Sequence, residues 1–80
     1  MEILFFGIAK DIVGVSQKVL LANENFPNSV RELKQKLNQE YPELIKLSSL
    51  AVAVNSEYAQ DDVLLKDTDE VAIIPPVSGG

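Results

Sequence analysis

The residues with the most definite chemistry stand together at the high-numbered end of the sequence, Pro75-Pro76-Val77-Ser78-Gly79-Gly80. Two prolines favour a stiff, extended exit from whatever element precedes them. The four residues after them reach at most about 13–14 Å at roughly 3.3–3.6 Å each. Gly79 and Gly80 carry no side chain, so this tip can enter a slot too narrow for other residue pairs. Its one chemically distinct group is the α-carboxylate of Gly80. An unhindered carboxylate is a substrate for ATP-dependent adenylation, after which a sulfur or amine nucleophile displaces AMP. Gly80 is thus the expected reacting residue and Gly79 its unhindered neighbour. A frayed terminus that happens to hold two glycines would read the same way, so the elements that carry the tail must decide.

Composition narrows the alternatives. The chain has 80 residues, enough for one small domain, and 46 % of them are apolar, as a globular fold requires. It has no cysteine and no histidine. That removes disulfides, thiolate metal sites, cysteine nucleophiles and every catalytic arrangement built on imidazole. The expectation is a carrier, subunit or binding module with no bound cofactor and no metal. A net charge of −5 argues against a phosphate-neutralising nucleic-acid surface and fits plain solubility and docking on basic partners equally well. The apolar start Met1–Ile8 contains Glu2 and ends at Lys10-Asp11, too short for a membrane span and without the basic start of a signal peptide. A cytoplasmic protein is the simplest expectation.

Ile3-Leu4-Phe5-Phe6, closed by Gly7, reads as a strand, followed by a helical turn over Ala9–Val13 with Gly14 as its left-handed terminator. A second strand is expected at about Gln17–Leu21, and Asn23–Asn28 is turn chemistry. Ser29 with Glu32 three residues on is a capping box. Behind it Val30, Leu33, Leu37 and Tyr41 form one apolar helical stripe that Pro42 stops. Glu32–Lys36 and Lys36–Glu40 have the spacing of ion pairs on the wet face of that helix. Leu50–Val54 reads as a strand, Asn55-Ser56-Glu57 as a turn, Tyr58–Leu65 as holding a short edge strand, Asp67-Thr68-Asp69 as a turn and Val71–Ile74 as the last strand. The expected class is α+β, with the first two strands as a hairpin, a crossover helix on one face, and the last strand entering the middle parallel to the first. This order resembles the ubiquitin-like β-grasp.

Leu4-Phe5-Phe6, the Asp69-Glu70-Val71-Ala72 entry into the last strand and Pro75-Pro76-Val77-Ser78-Gly79-Gly80 together resemble the MoaD family, the small sulfur-carrying subunits of molybdopterin synthase. The likeness covers the whole chain. Sulfur carriers for thiazole synthesis share the fold and Gly-Gly but usually lack Pro-Pro-Val. Two departures are Ile73-Ile74, where the family often has aromatics, and Thr68, where it often has glycine. The resemblance implies a β-grasp domain over residues 1–76 and an extended tail over 77–80. It implies that an E1-like (MoeB-type) enzyme uses ATP to adenylate Gly80, and that a sulfur donor makes a thiocarboxylate. It implies docking on a large (MoaE-type) subunit, in a heterotetramer, and sulfur delivery to cyclic pyranopterin monophosphate. A carrier for another thiolation pathway and a ubiquitin-like binding module with an inert tail are the alternatives.

Strand alternation supplies a docking face for such partners. It turns Ile3, Phe5, Val71 and Ile73 to the helix and Leu4, Phe6, Ala72 and Ile74 to the opposite face. Phe6 and Ile74 then meet at the root of the tail, with Tyr58 joining from the edge strand. The expected partner-binding residues are Phe6, Tyr58, Ile74, Pro75, Pro76, Val77 and Ser78; packing of the patch under a loop is the alternative. Asp61-Asp62 and Asp67-x-Asp69-Glu70 lack calcium-loop spacing and read as solvated turn carboxylates, with contact to a basic partner as the second reading.

Overall fold

The computed structural model describes residues 1–22, 26–46 and 50–75. Chain order is β1 (Glu2–Phe5), α1 (Gly7–Val13), β2 (Gln17–Val19), α2 (Val30–Glu40), a 3₁₀ turn (Pro42–Lys46), β3 (Ala51–Val54), β4 (Glu57–Tyr58) and β5 (Glu70–Ile74). The five strands form one sheet in the order β2-β1-β5-β3-β4. β5 lies in the middle, parallel to β1 with Leu4 opposite Ala72 and antiparallel to β3 with Val52 opposite Ile73. The hairpin, the crossover helix and the central last strand are those the sequence order predicts.

One face of the sheet makes the core. Ile3, Phe5, Val52, Val71 and Ile73 are buried against Val30, Leu33 and Leu37 of α2. Tyr41, the fourth member of the helical stripe, is only half-buried because it is the residue that caps the helix before Pro42. Leu44 in the 3₁₀ turn and Leu65 close the ends of this layer. The 3₁₀ turn was not legible as an element; Pro42 at its start and the buried Leu44 are its signal.

The start of α2 shows why the edge strand is short. Ser29 Oγ accepts from the amide of Glu32 at 3.3 Å, the first half of the capping box. The Glu32 carboxylate accepts from the amide of Asn28 at 3.2 Å, one residue earlier than the usual box. The amides of Val30 and Arg31 donate to the carbonyls of Val63 and Asp61, both at 3.0 Å. All three first-turn amides of α2 therefore have partners. The carbonyls of Asp61 and Val63 go to the helix, so the short edge strand expected within Tyr58–Leu65 is β4, Glu57–Tyr58, and reaches only Tyr58 of that stretch. The Lys34–Asp61 ion pair at 2.7 Å ties the same loop to the helix.

Three other expectations change in detail. β2 ends at Val19; the ladder runs on through Leu20, whose amide donates to Met1 O at 2.8 Å, and Leu21 is 74 % exposed past its edge. α1 begins at Gly7, which turns the chain out of β1 at φ +55°, and ends on Gly14 at φ +90° as predicted. Lys36 pairs with Glu40 at 3.7 Å, whereas Glu32–Lys36 is not among the ion pairs of the described residues, because the Glu32 carboxylate is engaged at Asn28. Glu40 also takes Lys18 of β2 at 2.9 Å.

Candidate docking face and tail root

The second face of the sheet carries no helix among the described residues. Alternation along the parallel β1–β5 pair places Leu4, Phe6, Ala72 and Ile74 there, as expected from the sequence. Ala53 of β3 stands between Ala72 and Tyr58 in the ladder, so two alanines floor the middle of the face. Phe6, Tyr58 and Ile74 rise around that floor, and Ser56 and Glu70 complete the lining of a shallow groove. Phe6 is 49 % and Tyr58 78 % exposed, which excludes burial under a loop. Large apolar side chains held open on a sheet of small residues form a surface suited to a protein partner.

The groove ends where β5 ends. The amide of Phe6 donates to Ile73 O at 3.2 Å, the last bond of the parallel ladder, and this brings Phe6 beside Ile74. Pro75 is half-buried against the start of α1. A Cβ built on Gly7 would stand 3.2 Å from Pro75 Cγ, so the glycine gives the proline room at the exit from the sheet. Phe6, Tyr58, Ile74 and Pro75 thus converge, while the other predicted site residues, Pro76, Val77, Ser78, Gly79 and Gly80, lie outside the described residues. A second groove, not singled out by the sequence, runs on the far side of Phe6, lined by Leu4, Gly7, Lys10, Ser16 and Gln17 among others.

Charge perturbation lies away from this face. Asp69 is held below the usual carboxylate value, first by the Asn55 side chain at 2.9 Å and then by the amide of Lys66 at 2.9 Å. Hydrogen bonding to Lys34 lowers Asp61, and the Lys18–Glu40 bond lowers Glu40 and raises Lys18. Each of these groups ties one element to another. Among the described residues no group of three or more acidic, histidine or cysteine side chains could hold a metal ion. The open face offers apolar contact, not acid–base chemistry.

A sheet packed on α2 with its last strand central, and with no helix on its other face among the described residues, defines a ubiquitin-like β-grasp protein. The crystal structure of the small archaeal modifier protein 1 from Haloferax volcanii has the same fold, at TM-score 0.79 and 24 % identity over all of this chain and 98 % of that one. The ThiS family model matches residues 3–80, and the chain belongs to the ThiS family. The molybdopterin synthase sulfur carrier subunit of Arabidopsis thaliana is 32 % identical over all of this chain and 82 % of its own length. Subunit 1 in the complex of subunits 1 and 2 of the Helicobacter pylori molybdopterin-converting factor is also similar. It shares 28 % identity at TM-score 0.65 over 99 % of this chain and 96 % of that one.

Proposed function

We propose that this chain is the sulfur carrier subunit of molybdopterin synthase. The observation that carries the reading is the full-length match to curated sulfur carrier subunits, with a family match that includes Gly79 and Gly80. The open sheet face beside the end of β5 supports it, since it offers a docking surface at the root of the residues that would react.

The chain's own contribution is a carboxyl group and a handle. The carboxylate oxygen of Gly80 attacks the α-phosphorus of ATP on an E1-like activating enzyme, and pyrophosphate leaves. A sulfur nucleophile then attacks the acyl carbon of the adenylate; the carbon–sulfur bond forms, the bond to the AMP oxygen breaks, and a thiocarboxylate results. The open face seats the carrier on the large subunit while the glycine tip enters that subunit's active site. There sulfur passes to cyclic pyranopterin monophosphate, and two rounds build the dithiolene of molybdopterin. Phe6, Tyr58 and Ile74 provide apolar anchoring, Pro75 and Pro76 a stiff lead, and Val77 and Ser78 the reach. The need for ATP at the first step suits a cytoplasmic location.

The test uses the missing cysteine. The chain ending at Gly80 is incubated with the activating enzyme, ATP and sulfide, then with iodoacetamide, and its peptides are mapped by mass spectrometry. A thiocarboxylate is alkylated, and with no cysteine in the chain no thiol competes. An alkylated 75–80 peptide is expected; its absence with an enzyme proven competent overturns the reading. Adding one residue after Gly80 should abolish transfer and leave the melting temperature unchanged.

A further inference from the structure

One charged side chain lines the otherwise mostly apolar groove. Glu70 opens β5 and shares that groove with Phe6, Tyr58, Ala72 and Ile74. Its neighbour in the parallel ladder is Glu2, and alternation along both strands puts the two on the same open face as Leu4 and Ala72. Like charges directly abreast on neighbouring strands repel. Neither takes part in the ion pairs of the described residues. The Glu70 backbone is also fixed at both of its polar atoms. Asn55 N donates to Glu70 O at 2.8 Å, and Glu70 N donates to Asn55 Oδ1 at 3.0 Å. The structure therefore fixes the Glu70 backbone and leaves its carboxylate outside the ion pairs of the described residues, on the proposed docking face, with a second carboxylate on the neighbouring strand.

We infer that Glu70, with Glu2 beside it, is a specificity-determining residue of the docking face and accepts an arginine or lysine of the large synthase subunit. The inference rests on the carrier function proposed above. Four residues of strand, about 13 Å at ~3.3 Å each, separate Glu70 from Ile74. An apolar anchor at Phe6, Tyr58 and Ile74 lets a docked partner swivel; a charged contact at the other end of the same groove stops it. The angle at which the tail leaves β5 towards the active site is then set by two contacts, one greasy and one ionic. The fitting partner surface carries a cationic group about one strand length from an apolar pocket. Relief of the Glu2–Glu70 repulsion on binding makes that cation more favourable than it would be beside a single carboxylate.

The test measures the affinity of the full chain for the large subunit of the same organism by calorimetry, at about 50 and about 300 mM NaCl, where screening lengths differ more than twofold. Glu70→Gln and the Glu2→Gln/Glu70→Gln pair are compared with Glu57→Gln and Asp67→Asn. Those two controls remove the same charge from the same end of the molecule, outside the groove. Glu70→Gln is expected to weaken binding about 5- to 20-fold at low salt, with the gap narrowing at high salt, while the controls stay within about twofold. Its melting temperature should be unchanged or slightly higher, since a repulsion is removed. At saturating large subunit the sulfur-transfer rate of Glu70→Gln should stay below that of the parent, since the docked partner can swivel; full recovery overturns the orienting role. Equal affinity of Glu70→Gln and the parent, or an equal loss in the controls, overturns the inference and leaves the carrier function standing. Failure of the parent chain itself to bind overturns both.

Discussion

Phe6 and Ile74 stand side by side because the amide of Phe6 closes the β1–β5 ladder on the carbonyl of Ile73 at 3.2 Å. The residue that leaves the first strand and the residue that ends the last one thereby share a surface. Half of the Phe6 side chain is open to water, so its removal costs the fold little.

That separation of stability from docking gives the first expectation. Phe6→Ala should shift the denaturation midpoint by less than about 1 kcal/mol-equivalent. Its sulfur transfer at limiting large subunit should fall at least about tenfold, as for a central aromatic anchor. Equal transfer by the variant and the parent would remove Phe6 from the interface.

Leu33 behaves in the opposite way. It is fully buried in the stripe that α2 lays on the sheet, so Leu33→Ala should cost about 2–5 kcal/mol in urea denaturation. A domain of this size has little in reserve. The variant is expected to be largely unfolded at 37 °C and to regain structure, seen by circular dichroism, when excess large subunit is added.

The turn between β3 and β4 holds Asn55 and Ser56 at φ +51° and +71°. Two central residues at positive φ are what a type I′ hairpin requires, and Asn-Gly is its preferred pair. Ser56→Gly should therefore stabilise the domain by about 0.5–1 kcal/mol in thermal melts. A loss of stability would mean that the Ser56 side chain contributes more than its backbone geometry suggests.

Asp69 sets an acid limb. Its folded-state pKa lies below the ordinary value of 3.8, chiefly through the Asn55 side chain and next through the Lys66 amide. A carboxylate lowered by folding stabilises fully above its unfolded pKa, and the contribution disappears as pH falls through the folded value. Asp69→Asn should be less stable than the parent at pH 7, and the difference should shrink as pH falls below 3.8. A pH-independent difference would show that the lost carboxylate charge is not its cause.

Much of this molecule was legible in the sequence because its signals are local and concordant. The Ser29 cap, the 3–4 spacing of Val30, Leu33 and Leu37, the two-residue alternation of β1 and β5, and Gly14 each specify one conformation. The face assignment of Leu4, Phe6, Ala72 and Ile74 followed from alternation alone, and Tyr58 followed once β4 was placed at the edge. The failures are tertiary. The short edge strand expected within Tyr58–Leu65 is present at Tyr58, but the amides at the start of α2 capture the carbonyls of Asp61 and Val63, and no local pattern announces that pairing. Glu32 has two partners within reach by sequence spacing, Asn28 and Lys36, and only the entry path of the chain into α2 selects the first. Asn55 read as a turn former; its grip on both Asp69 and Glu70 depends on the β3–β5 register, which brings Val54 opposite Val71.

The central place of β5 has a consequence for the order of events in the life of the chain. β1 and β3 have no common neighbour until β5 lies between them, so the sheet closes late, through its least local pairing. The docking groove is assembled across that seam, from Leu4 and Phe6 on one strand and Ala72 and Ile74 on another. An incompletely folded chain presents the same tail sequence but no groove beside it. On the function proposed above, an activating enzyme that touches the groove before spending ATP on the tail would be reading whether folding has finished.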